Sequence, residues 1–263
     1  MKLSTESIEF AKNHIKEFYD SDFFVKPFEF EVLQACWDDV QGYLLDTEIS
    51  AFSAKVPIAF AAHKPKGGFR VVHQLDPIDS LVYTALAYEV AESVENRRIP
   101  IEDRIACSYR IKTDDDGNFF VKDNGYNDFF DHSEELANSY SYVLVTDITD
   151  FYNQIYLHRL NSIEQCCPNN PEISKDLEKF LMKLNNKTSM GIPVGPAASI
   201  IMAEASLIDI DEFIFNRNAN YVRYVDDFRI FSNSKIELEL LLQDLTMYLY
   251  SSHRLNLSSS ATF

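Results

Sequence analysis

Three aspartates stand where carboxylate chemistry could use them. Asp147 closes the run YVLVTD, an apolar, β-branched stretch of buried-strand character, and Asp226 and Asp227 lie between two short β-prone segments at 221–224 and 228–231. A polar pair at the turn of a hairpin is an unusual placement unless something binds there, although Asp is common in solvated turns and that bland reading stays open for each motif alone. Two or three carboxylates on adjacent strands suit a hard cation, because magnesium takes only one or two of them beside water and phosphate oxygens. The matching chemistry is phosphoryl transfer with two divalent ions about 3.5 to 4 Å apart, one activating a hydroxyl and one neutralising the leaving phosphates. Only a sheet that pairs distant strands can bring Asp147 to Asp226 and Asp227.

The elements that must do this positioning follow from pattern. Apolar spacing of three and four predicts amphipathic helices over 4–20 (Ile8, Ala11, Ile15, Phe18) and 29–46 (Val32, Ala35, Cys36, Val40). The runs 56–62 and 69–75, separated by HKPKGG, predict a hairpin whose turn carries Lys64 and Lys66. A helix starts at Asp76-Pro77, with Leu81, Ala85, Tyr88 and Val90 spaced for burial. Residues 112–128 read as a surface excursion before a helix near 128–139. After strand 142–146 come helices from about Tyr152, over 171–184, from after Pro196 to Phe215, and a strongly amphipathic one over 236–250, with a last strand at 255–257. The order is α+β, helices packed on an antiparallel sheet.

Composition sets limits. With 46% hydrophobic and 13% aromatic residues the chain can fill a substantial core, and a single Trp37, 7 glycines and no Gly/Ser-rich run imply fused subdomains without a flexible linker. No apolar run reaches the roughly 20 residues of a membrane span, and the amino terminus has no signal-peptide pattern, so a cytoplasmic protein without membrane partners is expected. Cys36, Cys107, Cys166 and Cys167 lack CxxC spacing and read as reduced packing residues. The net charge of −17 argues against a protein that coats duplex nucleic acid, and leaves a basic surface confined to a channel or to missing parts, or nucleic acid held only briefly.

Order and flanks add to this. TDITDFY resembles motif A of the reverse transcriptase family, SMGIPVGPAAS its motif B and YVDD its motif C, and KPKGGFRVVHQLDPIDSLVYTAL resembles its fingers motifs. The resemblance covers roughly 56–262 and implies a fingers-and-palm fold: an amino-terminal helical segment over 1–50, fingers with palm insertions over 51–140, and a palm over 141–263. It implies an RNA-directed or template-independent DNA polymerase that binds dNTPs and uses two Mg2+ ions, or Mn2+. Asp147 and Asp226 would bridge the metals, with Asp227 beside the primer end. Tyr152 would exclude a 2′ hydroxyl, Asp150 and Phe151 would lend amides to the triphosphate, and Arg70 with Lys64 or Lys66 would reach its outer phosphates. Gly191, Gly195 and Pro196 would let backbone pass close to the nascent base pair, Gly195 at the nucleotide itself.

Departures from the family pattern carry their own implications. Val194 stands where Gln is frequent, no Pro follows Ser199, and Ala261 stands where Lys is often found. The chain ends directly after that region, which implies that a thumb is absent from it and is supplied by a missing carboxy-terminal domain or a partner. GIPVGPAAS, DPIDSLVYTAL and CSYRI look most like bacterial abortive-infection and other defence-associated reverse transcriptases, which implies antiphage defence and, as in some members, DNA made without a template and primed from a protein tyrosine; Tyr19 and Tyr43 are guesses for that tyrosine, with burial the expected role of each. Three rivals remain: an RNA-dependent RNA polymerase, disfavoured by Tyr152 and Val225; a catalytically silent palm serving as scaffold, disfavoured by all three aspartates; and a nucleotide cyclase, disfavoured because no glycine precedes the acidic hairpin.

Overall fold

The computed structural model describes residues 1–19, 21, 23–64, 67–121, 125–168 and 170–258. Ten helices and five strands alternate as α1 (Thr5–Glu17), α2 (Glu29–Ala35), α3 (Trp37–Asp46), β1 (Ile58–His63), β2 (Phe69–Gln74), α4 (Pro77–Glu95), α5 (Gly125–Ser139), β3 (Tyr142–Asp147), α6 (Phe151–Gln154), α7 (Asn161–Cys166), α8 (Glu172–Leu184), α9 (Ala197–Phe215), β4 (Asn220–Tyr224), β5 (Asp227–Ser232) and α10 (Lys235–Tyr248) among the described residues. The strands form two antiparallel sheets, β1–β2 and a three-stranded β3–β5–β4.

Local chemistry sets the helix starts. The Ser4 hydroxyl accepts the Ser7 amide at the head of α1, Ser234 does the same for α10 through Glu237, and Asp76 caps α4 with Pro77 in its first turn. Helices α4 and α9 are apolar on nearly every side and pack on each other at the centre of the main core. The β3–β5–β4 sheet lays Leu144, Tyr221, Phe228 and Ile230 into that core. On its opposite face Val222 and Phe231 meet Phe129 of α5, and the Arg229 guanidinium lies 4.4 Å from the Phe129 ring.

Several expectations are corrected. The helix expected over 29–46 is two helices that break at Cys36, where φ −117° and ψ 39° leave the helical region. Val32, Ala35 and Cys36 are exposed; the buried face carries Phe30, Trp37, Val40 and Leu44, with the Trp37 indole donating to Glu9 of α1 at 2.6 Å. Cys36 is therefore a surface thiol and not a packing residue. The helix expected from Tyr152 is the single turn α6, followed by a 3-10 turn at Leu157–Leu160 and the short α7, because Tyr156 turns away to pair with Met190. Helix α10 buries only Leu238 and Leu245 fully, and exposes Ile236, Leu240 and Met247. The stretch 112–121 is no free excursion: Phe119 is fully buried against Phe10 and His14, and the Gly117 carbonyl bonds His14 Nδ1 at 2.7 Å. Gly117 has φ +88°, and a Cβ there would lie 2.3 Å from the His14 amide nitrogen, so only glycine fits. Tyr43 is exposed where burial was the expected role, and Tyr19 is partly buried with its hydroxyl accepting from Gln74. Among the described residues no helix is long and apolar enough to cross a membrane.

Candidate active site

The β3–β5 register sets Asp147 directly opposite Asp227, and the Ile148 amide donates to the Asp226 carbonyl at 3.2 Å. Like charges placed across a strand pair oppose folding, so their juxtaposition at one sheet end calls for a compensating cation or ligand. Asp227 opens β5; the turn proper is Val225-Asp226, one residue shorter than the sequence suggested. The carboxy-terminal strand expected at 255–257 is a single bridge, Leu257 to Ile148, flanked by Thr149 N to Asn256 O at 2.9 Å and Ser258 N to Asp147 O at 2.8 Å. Asp147 is thus held from both sides, by β5 and by the chain's last described residues.

A cleft of about 470 Å³ gathers Lys64, Arg70, Asp147, Asp150, Phe151, Tyr152, Gly195, Pro196, Asp226 and Asp227, whereas Gly191 does not line it. Lys66 and Ala261 lie outside the described residues. Burial pushes the Asp226 carboxyl up to about 6, with Asp227 and Asp147 adding repulsion and Arg70 opposing it. Tyr152 is partly buried and its hydroxyl is pushed well above its usual value, mainly by burial, so it stays a neutral aromatic wall. Asp150 adopts φ 51°, starts α6, and accepts from the Asn153 side chain at 2.7 Å.

The motif B loop is fastened to this wall by its backbone. Gly191 N donates to Ile155 O at 2.8 Å and Ile192 N to Tyr152 O at 2.9 Å, which couples the loop to α6. A Cβ on Gly191 would meet the Asn153 carbonyl at 3.1 Å, and one on Gly195 would meet Ser21 and the His73 carbonyl. Within the chain itself Gly191 thus lies close to backbone and Gly195 to the Ser21 side chain and the His73 carbonyl.

His73 escaped the sequence reading. Its amide donates to the Val194 carbonyl at 2.8 Å and its Nδ1 accepts the Val194 amide at 3.0 Å, tying β2 to the loop beside Gly195. An acceptor Nδ1 requires the neutral ring with its proton on Nε2, and burial holds the His73 pKa below its usual value. The only sequence signal was a polar residue within the apolar run FRVVHQL. His73→Ala is expected to speed hydrogen exchange of the Val194 amide at neutral pH, read by mass spectrometry of the 190–196 peptide.

A second set also went unread. Under the Val225-Asp226 turn, Arg223 places Nε and Nη2 on Asp211 at 2.8 and 2.7 Å and Nη2 on Glu204 at 2.8 Å, all three residues essentially without solvent contact. Arg98 adds a bond to Glu204 at 2.9 Å, and Arg98 and Arg110 share Glu95. The available signal was acids inside an apolar helix: Glu204 and Asp211 sit seven apart on α9, hence on one face.

Comparison with known families decides the assignment. Residues 62–260 match the family model "Reverse transcriptase (RNA-dependent DNA polymerase)". The chain is a member of the reverse transcriptase family. Solved structures agree on the fold: telomerase from Candida albicans in complex with a fragment of telomeric RNA matches with a TM-score of 0.54 at 10% identity, over 93% of this chain and 50% of that one. Apo telomerase from Candida tropicalis matches with a TM-score of 0.52 at 12% identity, over 92% and 51%. This reverse transcriptase chain therefore spans about half the length of those structures. No curated protein sequence matches it.

Reverse transcriptases generally use divalent metals. Among the described residues no three His, Cys, Asp or Glu side chains group as a metal centre. The donor set still fits magnesium, which needs only one or two carboxylates, and the mutual repulsion of Asp226, Asp227 and Asp147 is what a cation relieves.

Proposed function

We propose that this reverse transcriptase chain is a DNA polymerase that extends a 3′ end with dNTPs, either along an RNA template or without one, in the cytosol and in antiphage defence. The observation that carries the catalytic part is the single cleft lined by Asp147, Asp226 and Asp227 together with Arg70 and Lys64, with Arg70 near enough to act on the Asp226 carboxyl. Asp147 and Asp226 would hold Mg2+, with Asp227 alongside. Bound there, the ion supplies Lewis-acid stabilisation of phosphoryl charge and lowers the pKa of the attacking hydroxyl. Arg70 and Lys64 offer cations to the anionic triphosphate, and the guanidinium can take phosphate oxygens in pairs. Tyr152 walls the cleft where the sugar would lie, which supports a preference for dNTPs.

Nucleic-acid binding finds support in the telomerase of the same fold, which was solved with an RNA fragment. The −17 net charge and Val194 in the cleft favour short or untemplated synthesis over copying a long template. The defence role rests on the phrases GIPVGPAAS, DPIDSLVYTAL and CSYRI. The deciding experiment is incorporation of each labelled dNTP with and without added RNA, followed by protease digestion to detect product attached to protein. Divalent-dependent dNTP incorporation is expected; equal use of NTPs would overturn the DNA polymerase assignment, and phage resistance undiminished in an inactive variant would overturn the catalytic defence role. Tyr152→Ala is expected to lower dNTP-over-NTP discrimination by about 10- to 100-fold in kcat/KM, the size of a lost steric wall against one hydroxyl.

A further inference from the structure

The turn that carries Asp226 holds its first residue in a conformation that side chains of its kind avoid. Val225 is β-branched and sits at φ 53°, in the left-handed region. Such backbone persists only where its surroundings over-determine it. Two bonds do so here: the Val225 amide donates to Ser108 Oγ at 2.9 Å, and the Val225 carbonyl accepts from Arg223 Nη1 at 3.3 Å. Ser108 has no solvent contact, and its own carbonyl accepts from Arg98 Nη2 at 2.7 Å.

The direction of these bonds is fixed by chemistry. Ser108 Oγ also donates to Glu204 Oε1 at 2.7 Å. Burial raises the Glu204 carboxyl, but Arg223 and Arg98 outweigh it and hold the group below the usual carboxylate range, so it is ionised and can only accept. The one Ser108 hydroxyl proton therefore goes to Glu204, and its lone pair is left aimed at the Val225 N–H. A serine from the CSYRI segment thus relays the fixed charge of α9 to the backbone of the acidic turn.

We propose that Ser108 is a positioning residue for the carboxylate pair, holding Val225 left-handed so that Asp226 is presented beside Asp147. This rests on the polymerase reading above, in which the placement of Asp226 governs metal binding and turnover. Removing the relay leaves the dNTP-facing residues Arg70, Lys64 and Tyr152 in place, so the effect should fall on kcat and on cation affinity and not on the dNTP KM.

The test compares the full chain with Ser108→Ala, Ser108→Cys and Ile173→Val, measuring dNTP incorporation, Mn2+ binding by electron paramagnetic resonance without dNTP, and thermal melting. Ile173 is buried in α8, outside the cleft, and serves as a stability control. Ser108→Ala is expected to lower kcat by about 10- to 100-fold and to weaken Mn2+ binding by about tenfold, as lost outer-shell partners do, with dNTP KM within about twofold. Ser108→Cys keeps the size and most of the packing but bonds weakly, and should fall between; it decides the question if the alanine variant does not fold. Ile173→Val should melt earlier with kcat and Mn2+ binding unchanged. Ser108 variants that melt earlier yet keep kcat and Mn2+ affinity would overturn the positioning role alone. An unaltered chain that neither binds Mn2+ nor incorporates dNTPs would overturn the polymerase reading, and the proposal with it.

Discussion

Asp226→Asn is expected to abolish nucleotide incorporation, by on the order of a thousandfold or more in kcat, while leaving the protein folded and, in chelator at pH 7.5, more stable than the unaltered chain. The two effects come from one cause. Asp226 is pushed up to about 6 by burial and by Asp227 and Asp147, so its ionised form is disfavoured in the fold. A carboxyl whose folded pKa lies above its unfolded value near 3.8 contributes most below that value, and the contribution is lost as pH rises through about 6. At pH 7.5 the folded chain therefore carries an unfavourable charge that the amide lacks, and the gap in melting temperature between the two proteins should shrink steadily as pH falls through about 6 towards 3.8. Magnesium should raise the melting temperature of the unaltered chain and leave the variant nearly unmoved, because binding to the folded state alone stabilises it. Melting curves across pH, with chelator and with Mg2+, check all three statements. A variant that is less stable than the parent at pH 7.5 without metal would show that Asp226 is a structural carboxylate.

This coupling of stability to function explains which parts of the molecule could be read from sequence. The strand β3, the hairpin β4–β5 and the helices α4, α8 and α9 announce themselves through continuous apolar runs, capping residues and glycine or proline punctuation, and their ends fell within a few residues of expectation. Asp147, Asp226 and Asp227 stood out because carboxylates at strand ends have no packing role. The break at Cys36 was invisible, since neither Gly nor Pro marks it; the tertiary bond from Trp37 to Glu9 sets which face of α3 turns inward, and periodicity at 29–46 fits either face. His73 was hidden for a related reason: its role is a pair of bonds to the backbone of Val194, and any loop residue offers the same backbone. The charge cluster beneath the site shows the same limit. Its arginines come from just beyond α4, the CSYRI segment and β4, and its acids from α4 and α9, so only the folded chain assembles Arg98, Arg110 and Arg223 with Glu95, Glu204 and Asp211.

That cluster supports the second large effect. Arg223→Leu is expected to cost about 3 to 5 kcal/mol in urea unfolding, because it leaves Glu204 and Asp211 facing each other's charge in the dry interior with fewer cations than carboxylates. Asp211 and Glu204 hold Arg223 well above its usual range against the opposing pull of burial, which means the guanidinium stays charged and its removal is felt in full. Arg223→Lys should recover little of the loss. The guanidinium serves Asp211 through two nitrogens and still reaches Glu204 and the Val225 carbonyl, a fork that one ammonium cannot reproduce. Added salt should change the loss only slightly, because these charges are shielded from the ionic atmosphere. Replacing Arg223, Glu204 and Asp211 together by Met, Met and Leu should recover part of the stability, since the desolvation cost of all three charges disappears at once. Polymerisation should not return with it, for the Val225 carbonyl and the Ser108 hydroxyl would then have lost the charged groups that hold the turn. A triple variant as active as the parent would show that the turn keeps its shape without them.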